Sequence, residues 1–294
     1  MPVSIEPPGT PLDTEDEQLY CYGHPKTPTR LRCTRCDRPI CGRCSIPASV
    51  GQHCPECVAE ARKQTRKVRS TIRANAPAVT VIIALNIIVY VLQQLAPVTT
   101  DRFESMPFLI AQGEWWRLLT PMFLHHPGFI FHILMNMYVL YIYGPNVEQA
   151  FGTFRFVVMY LICGFTGAAA SYNLSHCAVP GVGASGAIFG IAGVLLVFLY
   201  KRRTSTFIAD AYKGILVFIG LNIAIGFIIA GIDNWAHIGG LLGGVALGAG
   251  LDDPHGRVPA GRQATVAIAV VAVAIAAVAY RTATFTCGPF PFAG

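Results

Sequence analysis

The sequence predicts an all-α polytopic membrane protein with a six-helix core, a seventh membrane span near the carboxyl end and a small cysteine-rich domain near the amino end. Hydrophobic residues make up 53% of the 294 residues, and charged residues make up only 13%. This composition is typical of a chain that lies mostly in lipid. Apolar runs follow one another from residue 77 onwards, whereas seven of the ten cysteines lie between Cys21 and Cys57.

Shifts in composition divide the chain into five predicted segments. Residues 1–19 form an acidic tail without the apolar core of a signal peptide, and we expect this tail to be disordered. The cysteine-rich domain covers residues 20–58, and a basic juxtamembrane linker covers residues 59–76. The six-helix core covers residues 77–251, and residues 252–294 contain the seventh membrane helix and an external tail.

The cysteine-rich domain has the ligand spacing of a metal-binding domain. One Cys-x2-His pair and three Cys-x2-Cys pairs supply eight candidate ligands, which are Cys21, His24, Cys33, Cys36, Cys41, Cys44, Cys54 and Cys57. Each pair can lie on a tight turn that holds half of a tetrahedral zinc ion, so we predict two structural zinc ions. A domain of this size buries too little apolar surface to fold alone, and zinc would stabilise it. His53 could replace Cys54, and a disulfide-linked extracellular module is an alternative.

The spacing resembles B-box-type and RING-like zinc fingers, in which ligand pairs alternate between two metal ions. The resemblance implies one zinc on Cys21, His24, Cys41 and Cys44 and the other on Cys33, Cys36, Cys54 and Cys57. Sequential pairing is the alternative. Four protein ligands leave no coordination position for a substrate, so we expect no metal cofactor in catalysis. We expect instead that this domain binds a cytoplasmic protein.

Basic residues set the expected orientation in the membrane. Six of them precede the first apolar run, at Arg62, Lys63, Arg66, Lys67, Arg69 and Arg73. Seven spans are expected, at residues 77–95, 129–148, 154–172, 186–200, 214–231, 235–250 and 264–280. A basic cluster beside the first span marks the cytoplasmic side. We therefore predict a multi-pass cell-membrane protein whose amino-terminal domain is cytoplasmic.

The remaining basic clusters agree with this orientation. They follow even-numbered crossings, at Lys201, Arg202, Arg203, Lys213, Arg257 and Arg262. The carboxyl terminus is then external, and a disulfide between the external residues Cys177 and Cys287 is possible. Because much of the +6 net charge flanks apolar segments, we do not expect nucleic acid as a partner.

Four polar residues fall at nearly one depth in the predicted membrane. Ser185, His237 and His132 lie 15 or 16 residues before the cytoplasmic ends of spans four, six and two. At about 1.5 Å per residue, each is roughly 22–24 Å above the cytoplasmic boundary of a core about 30 Å thick. Asn136 is one turn deeper than His132 on the same helix face. Polar groups avoid lipid at this depth, so we expect all four to face the bundle interior.

Small residues surround Ser185 and His237. Glycines recur every three or four residues on both spans, at Gly186, Gly190, Gly193, Gly240, Gly244 and Gly248. This spacing lets two helices approach closely in a membrane. The Ser185 hydroxyl and the His237 imidazole would then lie within hydrogen-bond reach as a nucleophile and its base.

These motifs resemble those of rhomboid intramembrane serine proteases. The resembling segments are Gly183-Ala184-Ser185-Gly186, Ala236-His237 with Gly239-Gly240, His132-x3-Asn136 and Trp116-Arg117, and the resemblance extends over about residues 77–250. It implies that Ser185 attacks the scissile carbonyl and that His237 accepts its proton, without an acidic third member. It also implies that the Ser185 N–H and the side chains of His132 and Asn136 stabilise the oxyanion.

Three positions outside this set carry further expectations. Phe189 stands where we expect tyrosine by analogy, so its ring should stack on His237 without a phenol. Asp233, four residues before His237, is expected to be solvated, and assistance to the His237 base is the alternative. Glu114 and Arg117 should brace the first external loop at the membrane surface.

The implied substrates are single-span membrane proteins in the lipid bilayer, cleaved near the external face where a helix can unwind. The main alternative is a non-catalytic rhomboid-like protein that binds transmembrane helices, but such a protein would be expected to lack the serine or the histidine. A transporter is less favoured, because the sequence shows no inverted repeats and no intramembrane acid to couple ions.

Overall fold

The computed structural model describes residues 18–48, 50–64, 76–229, 231–253 and 258–287. The backbone forms two compact units, Met1–Arg69 and Ser70–Gly294. The predicted acidic tail lies outside the described residues except for its last two residues. Residues 65–75 of the predicted linker also lie outside them.

In the part that the structure describes, the first unit contains two small hairpins and one helix. These elements are β1 (Tyr20–Cys21), β2 (His24–Pro28), β3 (Ile46–Pro47), β4 (Gln52–His53) and α1 (Pro55–Gln64). Strand β1 pairs antiparallel with β2, and β3 pairs antiparallel with β4. Six cysteines and Ile40 form its buried cluster among the described residues. One isoleucine cannot supply the apolar burial that a folded domain needs, so another source of stability is required.

Among the described residues, the second unit is a bundle of seven long helices with a helical loop between the first two. The long helices are α2 (Pro77–Leu95), α5 (Ile130–Phe151), α6 (Thr153–Leu174), α7 (Ser185–Lys201), α8 (Thr206–Ile228), α9 (Asn234–Leu251) and α10 (Ala260–Ala283). The loop contains α3 (Val98–Phe103), α4 (Pro107–Ala111) and two 3-10 turns, Trp115–Leu118 and Thr120–Phe123. Each predicted span corresponds to one long helix, which confirms the predicted all-α fold of six core helices and a seventh.

Length and composition alone identify four of these seven helices as long and apolar enough to span a membrane: α2, α6, α8 and α10. Helix α7 has only 17 residues, and α5 and α9 carry the polar side chains of the candidate site. Residues 186–195 of α7 are all buried. A helix enclosed by protein does not need a long lipid-facing apolar surface, so polar and shorter helices are tolerated in the centre of the bundle.

Helices α7 and α9 approach each other closely through glycine. Gly240 and Gly244 of α9 lie against the backbone carbonyl groups of Gly186 and Gly190 of α7. A Cβ atom at either α9 glycine would overlap these carbonyl oxygens. The close approach predicted from the glycine spacing is therefore confirmed, and it brings the starts of the two helices together.

A buried carboxylate closes the amino end of α2. Glu148 of α5 is 2% exposed and accepts the N–H groups of Ala78 and Val79 at 3.0 and 2.9 Å. The Thr153 hydroxyl also donates to this carboxylate, at 2.9 Å. First-turn N–H groups have no acceptor within their own helix, and an anion beside them interacts favourably with the helix dipole. Glu148 therefore ties α2 to α5 and to the start of α6.

Replacing Glu148 by glutamine is expected to lower the free energy of unfolding by roughly 2–3 kcal/mol. The neutral amide loses the charge-assisted hydrogen bonds and turns an N–H group towards backbone donors. Thermal unfolding of the purified protein in detergent measures the change. Asp210→Asn is the matched control, because the Asp210 side chain is 74% exposed and its ion pair with Lys213 contributes little. Equal destabilisation by the two substitutions would contradict this role of Glu148.

The carboxyl end of α10 is fixed beside the loop that precedes α7. A disulfide joins Cys177 in this loop to Cys287 after α10, which answers a question that the sequence left open. Close by, the Tyr172 hydroxyl lies 3.0 Å from the Thr282 hydroxyl, and the Tyr172 ring stacks on Phe285. The seventh helix is thereby attached to α6 and to the segment that leads to Ser185.

Candidate active site

Ser185 is the first residue of α7, and the turn before it consists of small residues. Gly183 has a φ of 138°, in the left-handed region that favours glycine. Its N–H donates to the carbonyl oxygen of Pro121 at 3.0 Å, which fixes the turn against the first loop. Because first-turn N–H groups have no acceptor in their own helix, the Ser185 N–H is positioned to bind an anion beside the serine hydroxyl.

His237 lies in the first turn of α9 and is 7% exposed. Its ring stacks on the ring of Phe189, with centroids 4.2 Å apart and planes 6° apart. The stacking predicted for Phe189 is therefore present. The ring atom Nδ1 of His237 is buried and has no hydrogen-bond partner among the described residues.

The serine and the histidine lie on the same side of the interface between α7 and α9. Phe189 is one turn below Ser185 and shares its face of α7, so the stacked His237 ring also lies on that face. A Cβ atom at Gly186, next to Ser185, would lie 3.2 Å from the carbonyl oxygen of Ala236, next to His237. The two side chains thus leave backbones that are in contact.

His132 on α5 faces the turn before Ser185. Its Nδ1 accepts the backbone N–H of His126 at 3.3 Å, which leaves Nε2 as the protonated nitrogen of the neutral ring. A Cβ atom at Gly183 would lie 2.9 Å from Nε2 of His132 and 3.6 Å from the Ser185 hydroxyl. The Nε2–H group of His132 and the Ser185 hydroxyl therefore lie close to the same point beside Gly183. A group bound at that point could contact both.

Asn136 lies one turn below His132, as predicted, and is 8% exposed. Its side-chain amide donates to the carbonyl oxygen of His132 at 2.8 Å, and the second N–H of that amide can serve another acceptor.

Two neighbouring residues were missed by the sequence reasoning. His125 is fully buried with its ring 5.1 Å from that of His132, and Gln93 of α2 binds the backbone N–H and carbonyl of His125 at 3.0 and 2.9 Å. The one available signal was the adjacent histidine pair at 125 and 126.

The first loop is held by one arginine. Arg117 is 3% exposed, and its Nε donates to the Glu114 carboxylate at 2.6 Å. Its Nη1 donates to the carbonyl oxygens of Asp101 and Glu104 at 2.9 and 2.8 Å. These contacts confirm that Glu114 and Arg117 brace the loop that lies over the candidate site.

Asp233 is not simply solvated, and that expectation was wrong. Its Oδ1 accepts the N–H of Ala236 at 2.9 Å and so caps α9, and its Oδ2 accepts the hydroxyl of Ser171 on α6 at 2.5 Å. Ser171 is 62 positions away along the chain, so no local pattern indicates this partner.

The eight candidate metal ligands form two groups in the first unit. Cys21, His24, Cys41 and Cys44 make one group and Cys33, Cys36, Cys54 and Cys57 make the other, with the ligand atoms of each group within 4.8 Å of one another. This is the predicted alternating pairing, and it uses Cys54 rather than His53. The Sγ atoms of Cys36 and Cys54 are 3.8 Å apart. Tetrahedral zinc with bonds of about 2.3 Å would hold sulfur atoms about 3.8 Å apart, so the donor set fits that ion.

One thiol in each group is already suited to metal binding. Burial raises the pKa of the Cys33 thiol, but hydrogen bonds from the backbone of Cys54 and Arg35 outweigh burial and lower the pKa to about 6. Burial and a backbone hydrogen bond from Cys41 act in the same opposed way on Cys21, whose pKa also falls to about 6. At neutral pH these two residues are mainly thiolates, which is the form that binds metal.

Part of this bundle matches a known protein domain. Residues 112–252 match the Rhomboid domain, a range that includes Ser185, His237, His132 and Asn136. The chain is 39% identical to the rhomboid protease GluP of Bacillus subtilis (strain 168) over 201 residues, which are 66% of this chain and 39% of GluP.

Two further proteins with rhomboid names are similar in sequence to this chain. The chain is 34% identical over 175 residues to YdcA of the same strain, a protein provisionally named a rhomboid protease, and the alignment covers 58% of this chain and 86% of YdcA. It is 41% identical over 146 residues to RHOMBOID-like protein 6, mitochondrial, of Arabidopsis thaliana, with 47% of this chain and 45% of that protein covered. The alignments thus span less than half the length of GluP and of the Arabidopsis protein, and most of YdcA.

Proposed function

The chain belongs to the rhomboid family, and from that premise we propose that it is an intramembrane serine protease with Ser185 as the nucleophile and His237 as the base. One observation carries the proposal. The stacking of His237 on Phe189, one turn below Ser185, sets the imidazole on the serine's face of α7.

The reaction needs two groups and one water molecule. The Ser185 oxygen attacks the scissile carbonyl carbon while His237 accepts the hydroxyl proton, and the histidine then passes that proton to the leaving amine. Water, deprotonated by His237, attacks the resulting acyl ester and restores the serine. The buried Nδ1 of His237 has no hydrogen-bond partner among the described residues. Ser185 and His237 would therefore act as a catalytic dyad, without a carboxylate to orient the histidine.

The oxyanion would be stabilised by three donors. The Ser185 N–H lies at the helix amino terminus, and the Nε2–H of His132 lies on the same side of Gly183 as the hydroxyl. The second amide N–H of Asn136 is the third donor. Donors that are already oriented act strongly where water is largely excluded.

Replacing His132 by alanine is expected to lower kcat by about 10²- to 10³-fold with a smaller change in KM, because the lost donor acts on the charge that develops in the transition state. Steady-state cleavage of a single-span substrate measures both constants. His126→Ala is the matched control, since it keeps the backbone N–H that orients His132 and removes only an exposed side chain. Equal losses of kcat in the two variants would contradict an oxyanion role for His132.

We infer that the substrates are membrane-spanning proteins cleaved near the external face, and that the carboxyl terminus of this chain is external. Two observations support this orientation. The Cys177–Cys287 disulfide lies at the Ser185 end of the bundle, and disulfides persist in oxidising compartments. Lys201, Arg202 and Arg203 lie at the other end, as the positive-inside rule requires of a cytoplasmic side. The amino-terminal unit is then cytoplasmic.

Cleavage in a reconstituted membrane tests this function. The purified chain is placed in liposomes with a single-span protein, and the products are mapped by mass spectrometry. We expect one cut in the external third of the substrate helix or just outside it. Stable binding of the substrate helix without any cut would contradict the protease and favour the non-catalytic binder.

The amino-terminal unit would hold two structural zinc ions, one in each group of four ligands. Zinc would supply the stability that a single buried isoleucine does not. All four positions on each ion would be occupied by protein ligands, so the ions take no part in the cleavage chemistry. The unit is suited to binding a cytoplasmic protein.

A further inference from the structure

A small cavity opens beside the candidate nucleophile. Its volume is about 50 Å³, and its lining includes Ser185, Gly186, Met122, Gly164, Ser171 and Asp233. It lies between α6, α7 and the start of α9, and Ser185 forms part of its wall. A space of this size holds a few water molecules or one short side chain.

The cavity lies on the acyl side of the reacting bond. The leaving amine must face His237 to receive its proton, and the carbonyl oxygen must face His132. Of the described residues, neither His237 nor His132 lines the cavity. The attacked carbon has a third substituent, the Cα atom of the residue that carries the carbonyl group. With the nitrogen towards His237 and the oxygen towards His132, this Cα atom is directed towards the cavity, and the side chain of that residue enters it.

The cavity has an anionic wall. Among the described residues, each Asp233 oxygen accepts one hydrogen bond, Oδ1 from the Ala236 N–H and Oδ2 from the Ser171 hydroxyl, although a carboxylate oxygen can accept two. No lysine or arginine in the described part of the chain forms a salt bridge with Asp233. A Cβ atom at Gly181 would lie 3.8 Å from Oδ2, so the carboxylate also borders the loop that leads to Ser185.

We propose that Asp233 determines the specificity of cleavage, selecting a short hydrogen-bond donor, above all serine, as the residue on the acyl side of the scissile bond. This inference rests on the proposed protease function. A serine side chain fits the volume and can donate to the spare lone pair of the carboxylate. An aspartate of similar size is rejected, because two like charges repel strongly where water is scarce. Longer donors such as lysine exceed the space.

The test compares three single-span substrates that differ only in the acyl-side residue, which is serine, alanine or aspartate. We expect kcat/KM to be roughly tenfold higher for serine than for alanine in the wild type, as one hydrogen bond to a charged acceptor predicts. In Asp233→Asn the ratio should fall severalfold, because the serine hydroxyl then meets a neutral amide rather than a charged acceptor, while cleavage of the aspartate substrate rises relative to alanine. Asparagine keeps the oxygen that caps α9. Both substrates in each ratio are cleaved by the same enzyme sample, so a loss of folded enzyme does not change the ratio.

Asp210→Asn, which removes an exposed carboxylate on α8, is the matched control and should keep the wild-type ratio. Cleavage of all three substrates with equal ratios in wild type and Asp233→Asn overturns the role of Asp233 and leaves the protease intact. Failure of the wild type to cleave any of the three overturns the protease itself, and with it this inference.

Discussion

Replacing Ser185 by alanine is expected to lower kcat/KM for a single-span substrate by roughly 10⁴-fold or more. The alanine side chain has no oxygen to attack the carbonyl, so no acyl ester forms and the remaining residues can only bind the substrate. Replacing His237 by alanine should cost a similar factor, because the serine hydroxyl is a weak nucleophile without its base. Since the two groups act in one step, the double variant should be no slower than either single variant.

Two readouts separate lost chemistry from lost folding. Cleavage is measured in liposomes, and a fluorophosphonate probe labels an activated serine in the same samples. Thr265→Ala, which removes an exposed hydroxyl near the start of α10 at the other end of the bundle, is the control that should keep both cleavage and label. Full labelling of Ser185→Ala, or cleavage by this variant at the wild-type rate, would eliminate Ser185 as the nucleophile.

Most helix positions could be predicted from the sequence, because apolar length and flanking charge are local properties. Span 77–95 coincides with α2, and the other spans differ from their helices mainly at the ends. The largest difference is α8, which begins at Thr206 rather than near residue 214. Its first two turns contain Asp210 and Lys213, which ended the apolar run in the sequence. The structure continues the helix through them, because Ser205 caps it and these side chains are exposed.

The sequence predicted how deep each candidate residue lies in the membrane, but not which way its side chain points. Counting residues from the predicted cytoplasmic ends of the spans assigned Ser185, His237 and His132 to one level. The direction of each side chain around its helix depends on packing, and counting does not give it. Contacts such as Ser171 to Asp233 and Gln93 to His125 join distant parts of the chain, so only the fold reveals them.

The helices that bear these groups explain why hydropathy alone is a partial guide. Helices α5, α7 and α9 are shorter or more polar than the remaining four, and they carry the candidate catalytic groups. Polar groups in the membrane require neighbouring helices rather than lipid around them. The more lipid-exposed helices, such as α8 and α10, satisfy the hydropathy criterion instead. A weak hydropathy signal between strong ones therefore indicates where the polar chemistry of such a bundle lies.

Removing metal from the first unit is expected to unfold it, because structural zinc in small domains contributes on the order of 10–16 kcal/mol. In the described part of this unit, Ile40 is the one residue of the buried cluster that is not a cysteine. The full-length chain, purified under reducing conditions with zinc present, should contain close to two zinc ions by mass spectrometry. Chelation should make residues 18–64 sensitive to protease.

Single substitutions distinguish the two metal groups. Cys33→Ala should leave about one zinc per chain, because the group that contains Cys33 then has only three ligands. Cys21→Ala should also leave about one zinc, because it removes a ligand from the other group. The double variant should bind neither ion. Cys163→Ala is the matched control, because Cys163 is a buried free cysteine of the helical bundle and belongs to neither group. Sequential pairing would put Cys21 and Cys33 on the same ion, and then the double variant would retain one zinc. A wild-type chain that binds no zinc under these conditions would refute the metal sites altogether.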